Sequence, residues 1–239
     1  MTLQNRKIII LGGTSGIGLA VAKAAAAEGA RIVVASSNPA RVADALATLG
    51  GSASGQSLDL TDEEAMKAFF EETGAFDHLV YTAGEALQLA PLDGTDLATA
   101  RRFFELRYWG AFSAAKHAHR LIRPGGSIVF TSGVAGMRPG PGWSVAASIC
   151  SAMEAMTRAL ALELAPLRVN IVSPGVVKSP LWRDMTTEAR DALYEAEARR
   201  LPVGHVAEPQ DIASAYVYLM NQTYATGQTL VVEGGGLLV

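Results

Sequence analysis

Apolar positions along this chain fall into two alternating rhythms. Short runs of nearly continuous apolar residues, rich in Ile and Val, are separated by longer stretches in which Ala, Leu and Met recur at helical intervals. The short runs predict strands at 7–11, 31–35, 56–58, 78–81, 127–131, 169–172 and 229–232. Strands that are apolar at successive positions are buried on both faces, the condition of a parallel sheet interior. The longer stretches predict helices at about 16–29, 39–49, 62–73, 96–122, 144–165, 187–200 and 209–220. Repeated β-α-β alternation predicts an α/β fold. It should be a Rossmann-type, doubly wound parallel sheet of about seven strands, with helices on both faces and right-handed crossovers.

Boundary chemistry supports these elements. Asn38-Pro39 pairs a capping residue with Pro at the first helical position. Thr61-Asp62-Glu63-Glu64 predicts a capping box opening the third helix. Pro124-Gly125-Gly126 turns the chain into the fifth strand, and Pro166 ends the helix before it. With no linker and no internal repeat, residues 1–239 read as one dinucleotide-binding domain.

Composition narrows the function classes. Apolar residues make up 49% of 239, enough for a sizeable core. A net charge of −3 gives no reason to expect nucleic acid or an anionic membrane as partner. The single cysteine excludes an intrachain disulfide and fits a reducing cytoplasm. The start, MTLQNRK, lacks a signal-peptide pattern, and no apolar run approaches the roughly 18 residues of a membrane span. His117 and His119 lie two apart on a helix, and no metal-site spacing occurs.

The chemistry starts at Gly12-Gly13-Thr14-Ser15-Gly16-Ile17-Gly18, between the first strand and first helix. Gly12 lets the chain turn tightly, Gly16 lets the backbone approach a pyrophosphate, and Gly18 lets the helix pack closely on the strand. The helix then offers unpaired N–H groups to anionic oxygens. The end of the second strand separates two dinucleotides, because an acid there would bind the ribose 2′-hydroxyl of NAD. This chain has Ala35-Ser36-Ser37-Asn38 instead. Ser36 and Ser37 can donate to a 2′-phosphate, Arg41 is within reach, and Asn38 either joins them or caps the helix. These residues favour NADP over NAD.

Further residues carry a family resemblance. Asp59-Leu60, Thr82-Ala83-Gly84, Arg168-Val169-Asn170, Pro174-Gly175, Ser179 and the C-terminal run through Glu233-Gly234-Gly235 follow the glycine loop in order. With them the chain resembles the short-chain dehydrogenase/reductase family over nearly its whole length. The resemblance implies that Asp59 and Leu60 contact adenine. It places Thr82, Ala83, Gly84, Pro174, Gly175, Val177 and Ser179 along the rest of the cofactor. It also implies a homotetramer or homodimer, with the helices near 96–122 and 144–165 pairing between subunits, and a mobile lid at 182–200.

The same resemblance exposes an emptied reaction centre. Related reductases use a Tyr to protonate the substrate oxygen, a Lys to lower that Tyr's pKa and hold the ribose, a Ser to position the carbonyl, and an Asn for a water relay. General acid catalysis of this kind contributes roughly 10²- to 10⁴-fold. Here the four positions read Ala146, Cys150, Gly133 and Arg107. Arg107 and Ser132 remain as catalytic candidates, with Arg107 also able to reach the cofactor. Ser144 is a hydrogen-bonding candidate or an N-cap. Trp143 and Tyr108 line the pocket or pack in the core, and Glu85 is an acid or a solvated carboxylate. Cys150 reads as a packing residue. The expected function is NADP(H)-dependent oxidation or reduction of a small carbonyl or imine by a non-standard proton route. The alternatives are an inactive NADP(H)-binding or sensory protein, and a non-redox lyase or isomerase.

Overall fold

Ile8, Ile9, Ile10 and Leu11 are all fully buried, alternate residues entering opposite cores. A strand in that state needs neighbours on both edges and helices on both faces. The computed structural model, which describes residues 2–51, 53–87 and 89–239, supplies them. Seven strands form one sheet: β1 (Lys7–Leu11), β2 (Arg31–Ser36), β3 (Ala53–Ser57), β4 (Phe76–Tyr81), β5 (Ile122–Thr131), β6 (Arg168–Pro174) and β7 (Thr229–Val232). Their order is β3-β2-β1-β4-β5-β6-β7, with every pairing parallel. The helices are α1 (Gly16–Ala27), α2 (Pro39–Leu49), α3 (Glu63–Thr73), α4 (Leu97–Phe104), α5 (Gly110–Ala118), α6 (Ser144–Glu163), α7 (Thr187–Arg200) and α8 (Pro209–Asn221).

One face buries Ile9, Leu11, Leu79, Ile128 and Ile171 under Phe69 and Phe70 of α3, Ala111 and Ala114 of α5, and Met153 and Met156 of α6. The other buries Ile8, Ile10, Val80, Val129 and Val172 under Val21 and Ala25 of α1 and Ile212, Tyr216 and Leu219 of α8. From β1 the chain winds outward through β2 to β3, and from β4 it winds the other way. The loops after β1 and β4 therefore diverge and leave a crevice at the carboxyl ends of the strands, where such folds bind ligands.

Several elements differ from the sequence expectation. The third strand is Ala53–Ser57, not 56–58. Its burial is partial because it lies at the sheet edge, so the apolar signal fades. The third helix is capped by Asp62, whose carboxylate accepts from Ala65 N at 3.0 Å. Thr61 is not its cap, because Asp59 Oδ1 holds both the N–H and the hydroxyl of Thr61 at 2.9 and 2.7 Å. Trp143, not Ser144, precedes α6 as its N-cap. At 20 residues, α6 is also long and apolar enough by length and composition to cross a membrane, against the expectation of no such run. Here Met153, Met156, Leu160 and Ala161 of α6 are buried against the sheet.

The long helix expected at 96–122 is interrupted. Between α4 and α5 the chain winds one wider π turn, Glu105–Trp109. Its cause is Tyr81, the last residue of β4. The buried Tyr81 hydroxyl donates to Leu106 O at 2.5 Å, taking the carbonyl that an α-helix would give to Gly110 N–H. Gly110 N–H goes to Glu105 O instead. A side chain at residue 110 would collide with the Tyr81 hydroxyl. Such turns cluster at functional positions, and this one carries Arg107.

At the opposite end of the sheet, polar groups are structural. Arg168 donates to Leu219 O (2.7 Å) and Met220 O (3.1 Å), capping α8, and Asn170 bridges Ala225 O and Gln228 N. The first half of the strand-six motif therefore lies away from the crevice. His78 of β4 is buried, its Nδ1 2.9 Å from Ser127 Oγ of β5. Burial, with Arg168 nearby, pushes its pKa down from 6.5 to about 4. The folded state thus holds a neutral ring that the unfolded chain protonates first, so the stability present above pH 6.5 is lost as pH falls toward 4. Wild-type protein is expected to lose about 2 kcal/mol more unfolding free energy than His78→Gln on going from pH 7.5 to pH 5. Urea melts of both at the two pH values check this, and parallel losses would show that His78 does not titrate as argued.

Candidate functional site

The crevice is a cavity in two connected parts. The first is a cleft of about 1370 Å³, counted to its mouth, running from Ser36, Ser37 and Arg41 across the glycine loop to Gly175 and Ser179. The second is a pocket between the ends of β4 and β5, the π turn and α6. Thr82, Arg107, Ser132, Pro174 and Gly175 belong to both.

The cleft floor is made by close backbone contact. Gly12 has φ +87°, and a Cβ there would lie 2.6 Å from Ala83 N. A Cβ at Gly18 would run into the Gly12 carbonyl. Ser15 precedes α1 without capping it through its side chain, so the first N–H groups of the helix are left for an anion. The segment after β6 roofs the cleft. Leu87 N donates to Leu181 O at 2.9 Å, and Pro180 Cδ would lie 3.2 Å from a Cβ at Gly16. All the cofactor candidates except Asn38 line this cleft. Asn38 is turned away, its Oδ1 accepting from Arg41 N at 3.1 Å as the cap of α2. The end of β2, Ala35-Ser36-Ser37-Asn38, carries no Asp or Glu, and Arg41 is exposed.

In the pocket, Gly133, Ala146 and Cys150 face the space that a larger side chain at each would occupy. Cys150 Sγ would lie 3.4 Å from a Cβ at Gly133. Burial pushes the Cys150 thiol up, which keeps it protonated and argues against a nucleophile. Phe103, Trp143, Val145 and Ile149 supply apolar wall.

Ser132 lies at the junction, but its hydroxyl donates to Glu154 Oε1 at 2.9 Å, with Cys150 O of α6 3.2 Å away as the alternative acceptor. That fixes the strand end to the helix rather than offering a free donor. Glu154 was missed as its partner; the signal was its position one helical turn beyond Cys150. Ser144 lies outside the pocket, in a separate groove with Phe104 and Trp109. Tyr108 is also outside it, packing edge-on against Trp109 at 4.9 Å.

Arg107 is the charged side chain, among the described residues, that lines both spaces. Its Nη2 donates to Glu85 O at 2.5 Å, and its Nε lies 3.5 Å from Glu85 Oε2. The guanidinium rests on Gly84, where a Cβ would lie 2.5 Å from Cζ. Burial pushes the Glu85 carboxyl up, partly countered by Arg107, Arg183 and Arg102. The same burial lowers the Arg107 pKa, while Glu85 counters it. Arg183 of the roof also lines the cleft; nothing in its local sequence marks it.

A family model described as Enoyl-(Acyl carrier protein) reductase matches residues 12–236. The chain is 37% identical over 255 residues to the Stachybotrys chlorohalonatus short-chain dehydrogenase/reductase ATR9, covering 99% of both chains. It is 32% identical over 253 residues to the Malbranchea aurantiaca short-chain dehydrogenase/reductase malC, covering 99% of this chain and 96% of that one. The structure of MalC, described as a reductase/Diels-Alderase, superposes with a TM-score of 0.92 at 31% identity, covering 99% and 98%. A small-chain dehydrogenase crystallised in complex with NADPH superposes with a TM-score of 0.88 at 38% identity, covering 99% and 100%.

The packing of Arg107 on Gly84 is directly testable. Gly84→Ala is expected to drive the guanidinium off its seat at little cost in stability, because the nearest atoms a Cβ would meet are the far end of the Arg107 side chain. A crystal structure of the variant with Arg107 unmoved would refute the contact.

Proposed function

Because the chain belongs to the short-chain dehydrogenase/reductase family, we propose that it is an NADP(H)-dependent oxidoreductase. It acts on a small carbonyl or imine substrate without the family's usual proton donor. The observation that carries this is the continuity of a phosphate-cradling cleft with a pocket whose expected Ser, Tyr and Lys positions are Gly133, Ala146 and Cys150.

The residues fit the dinucleotide. The uncapped start of α1 and the space kept open by Gly12, Gly16 and Gly18 suit a pyrophosphate. Ser36, Ser37 and Arg41 suit a 2′-phosphate, and the lack of an acid beside them removes the feature that selects NAD. Asp59 and Leu60 would hold the adenine, with Asp59 Oδ1 already engaged by Thr61. Thr82, Ala83, Gly84, Pro174, Gly175, Val177 and Ser179 would line the nicotinamide half. Likeness to a dehydrogenase crystallised with NADPH supports the same choice. When bound, the nicotinamide supplies or accepts a hydride.

The protein's own contribution is orientation, exclusion of water and a fixed charge. Trp143, Val145 and Ile149 desolvate the substrate, and Arg107 places a cation at the boundary with the cleft. Positioning alone contributes several orders of magnitude when the substrate is already activated. A second reading, a non-redox reaction in the same pocket, is favoured by the emptied acid positions and by likeness to a protein described as both reductase and Diels-Alderase. The exposed Trp109 and Phe112, next to the groove between α4 and α6, support pairing of these helices in a homodimer or homotetramer. A single domain in the cytoplasm completes the proposal.

Fluorescence titration is expected to show NADPH binding at least ~10-fold tighter than NADH, about 1.4 kcal/mol. Ser36→Asp should reverse that order. Equal affinity for the two would overturn the cofactor choice. Tight NADPH binding with no oxidation across carbonyl and imine panels would overturn the redox activity and leave the binding intact.

A further inference from the structure

Arg107 is the sole charged side chain, among the described residues, that lines the pocket beside the cleft. No carboxylate among them faces that space, so a cationic substrate would meet a like charge and no counter-charge. The guanidinium is held firmly yet left largely unsatisfied. Of its five N–H groups, one on Nη2 is used by Glu85 O. Nε and Glu85 Oε2 sit 3.5 Å apart, and neither makes a hydrogen bond. Nη1 has no hydrogen-bond partner among the described residues.

Of the groups facing Arg107, Glu85 alone carries a countering charge, and it does so from the cleft side. The others are the Tyr81 hydroxyl, the Cys150 thiol and Arg183. Burial holds the phenol and the thiol in their neutral forms. Tyr81 already donates to Leu106 O, and the one anionic group, Glu85, lines the cleft and not the pocket. In an enclosure walled by Phe103, Trp143, Val145 and Ile149, a guanidinium acts through a low effective dielectric. It stabilises negative oxygen without giving up a proton, because it does not deprotonate in proteins.

We propose that Arg107 is an oxyanion-binding residue of this pocket. The pocket takes an apolar molecule carrying an ionisable oxygen, a phenolate or the enolate form of a carbonyl compound, with the oxygen on the guanidinium and the hydrocarbon body against Trp143 and Ile149. Glu85 is the positioning residue, holding Nη2 through its carbonyl while Gly84 gives the guanidinium its seat. The proposal rests on the assignment of this pocket as the substrate site, and within that assignment it selects the carbonyl over the imine.

The test uses 4-nitrophenol, whose phenolate absorbs visible light, with the full-length protein and no cofactor added. The bound probe is expected to ionise about one pH unit below the free probe, an affinity roughly 10-fold higher for phenolate than for phenol. Arg107→Met should abolish the shift, and Arg107→Lys should retain part of it. 4-Nitrotoluene should bind wild type and Arg107→Met alike, and benzyltrimethylammonium should not displace the probe. Melting curves and far-UV circular dichroism establish that each variant is folded; if Arg107→Met is not, Arg107→Gln replaces it. A shift that survives loss of Arg107, a bound probe with no shift, or no binding of the probe would each overturn the proposal. Failure of NADPH to bind wild-type protein would instead sink the dinucleotide assignment, while the probe titration still decides the oxyanion site.

Discussion

The backbones of the glycine loop and of the turn after β4 approach so closely that no side chain fits between them. A Cβ at Gly12 would stand 2.6 Å from Ala83 N. This contact exists because β1 and β4 are neighbours in the sheet while their following loops depart in opposite directions. The crevice between those loops, the exposed start of α1 and the junction of the two cavity parts all follow from it. The approach requires β1 to be buried on both faces, for a solvated strand would have no reason to sit inside a seven-stranded sheet.

A second constraint acts through Tyr81. Its ring belongs to the core under the sheet, but its hydroxyl needs a partner and finds Leu106 O in the helix above. The ladder gives way by one residue, Gly110 shifts its hydrogen bond to Glu105, and the π turn follows. Arg107 is carried on that turn, so its aim into the pocket is decided by a buried hydroxyl outside its own helix. At Cys150, where the family resemblance expects a lysine, the helix α6 carries no charge. Among the described residues, the charged side chain lining this boundary is Arg107 of the π turn.

Legibility varied with the range of the interaction. The strands and the glycine loop were readable because their signals are contiguous: apolar runs, and glycines at fixed spacing. Local hydrogen bonding corrected the detail. Asn38 resolved from two open readings into a cap, and Thr61 lost the expected capping role to Asp62 because Asp59 occupies it. Glu85, open as an acid or a solvated carboxylate, is instead held by Arg107, 22 residues away. Ser132 was open as a donor to substrate, but its hydroxyl donates to Glu154 instead, and Arg183 had no local signature.

The amino-acid sequence by itself determined the sheet, its two apolar faces and the chemistry of the dinucleotide cleft. Each of those rests on periodicity or on adjacent residues, which a linear text records. The tertiary structure alone decided the break in the helix at 105–109, the seat of Arg107 on Gly84 and its pairing with Glu85, and the diversion of the Ser132 hydroxyl. Those depend on groups far apart in the chain competing for the same buried hydrogen-bond partners, and such competition has no sequence period to betray it.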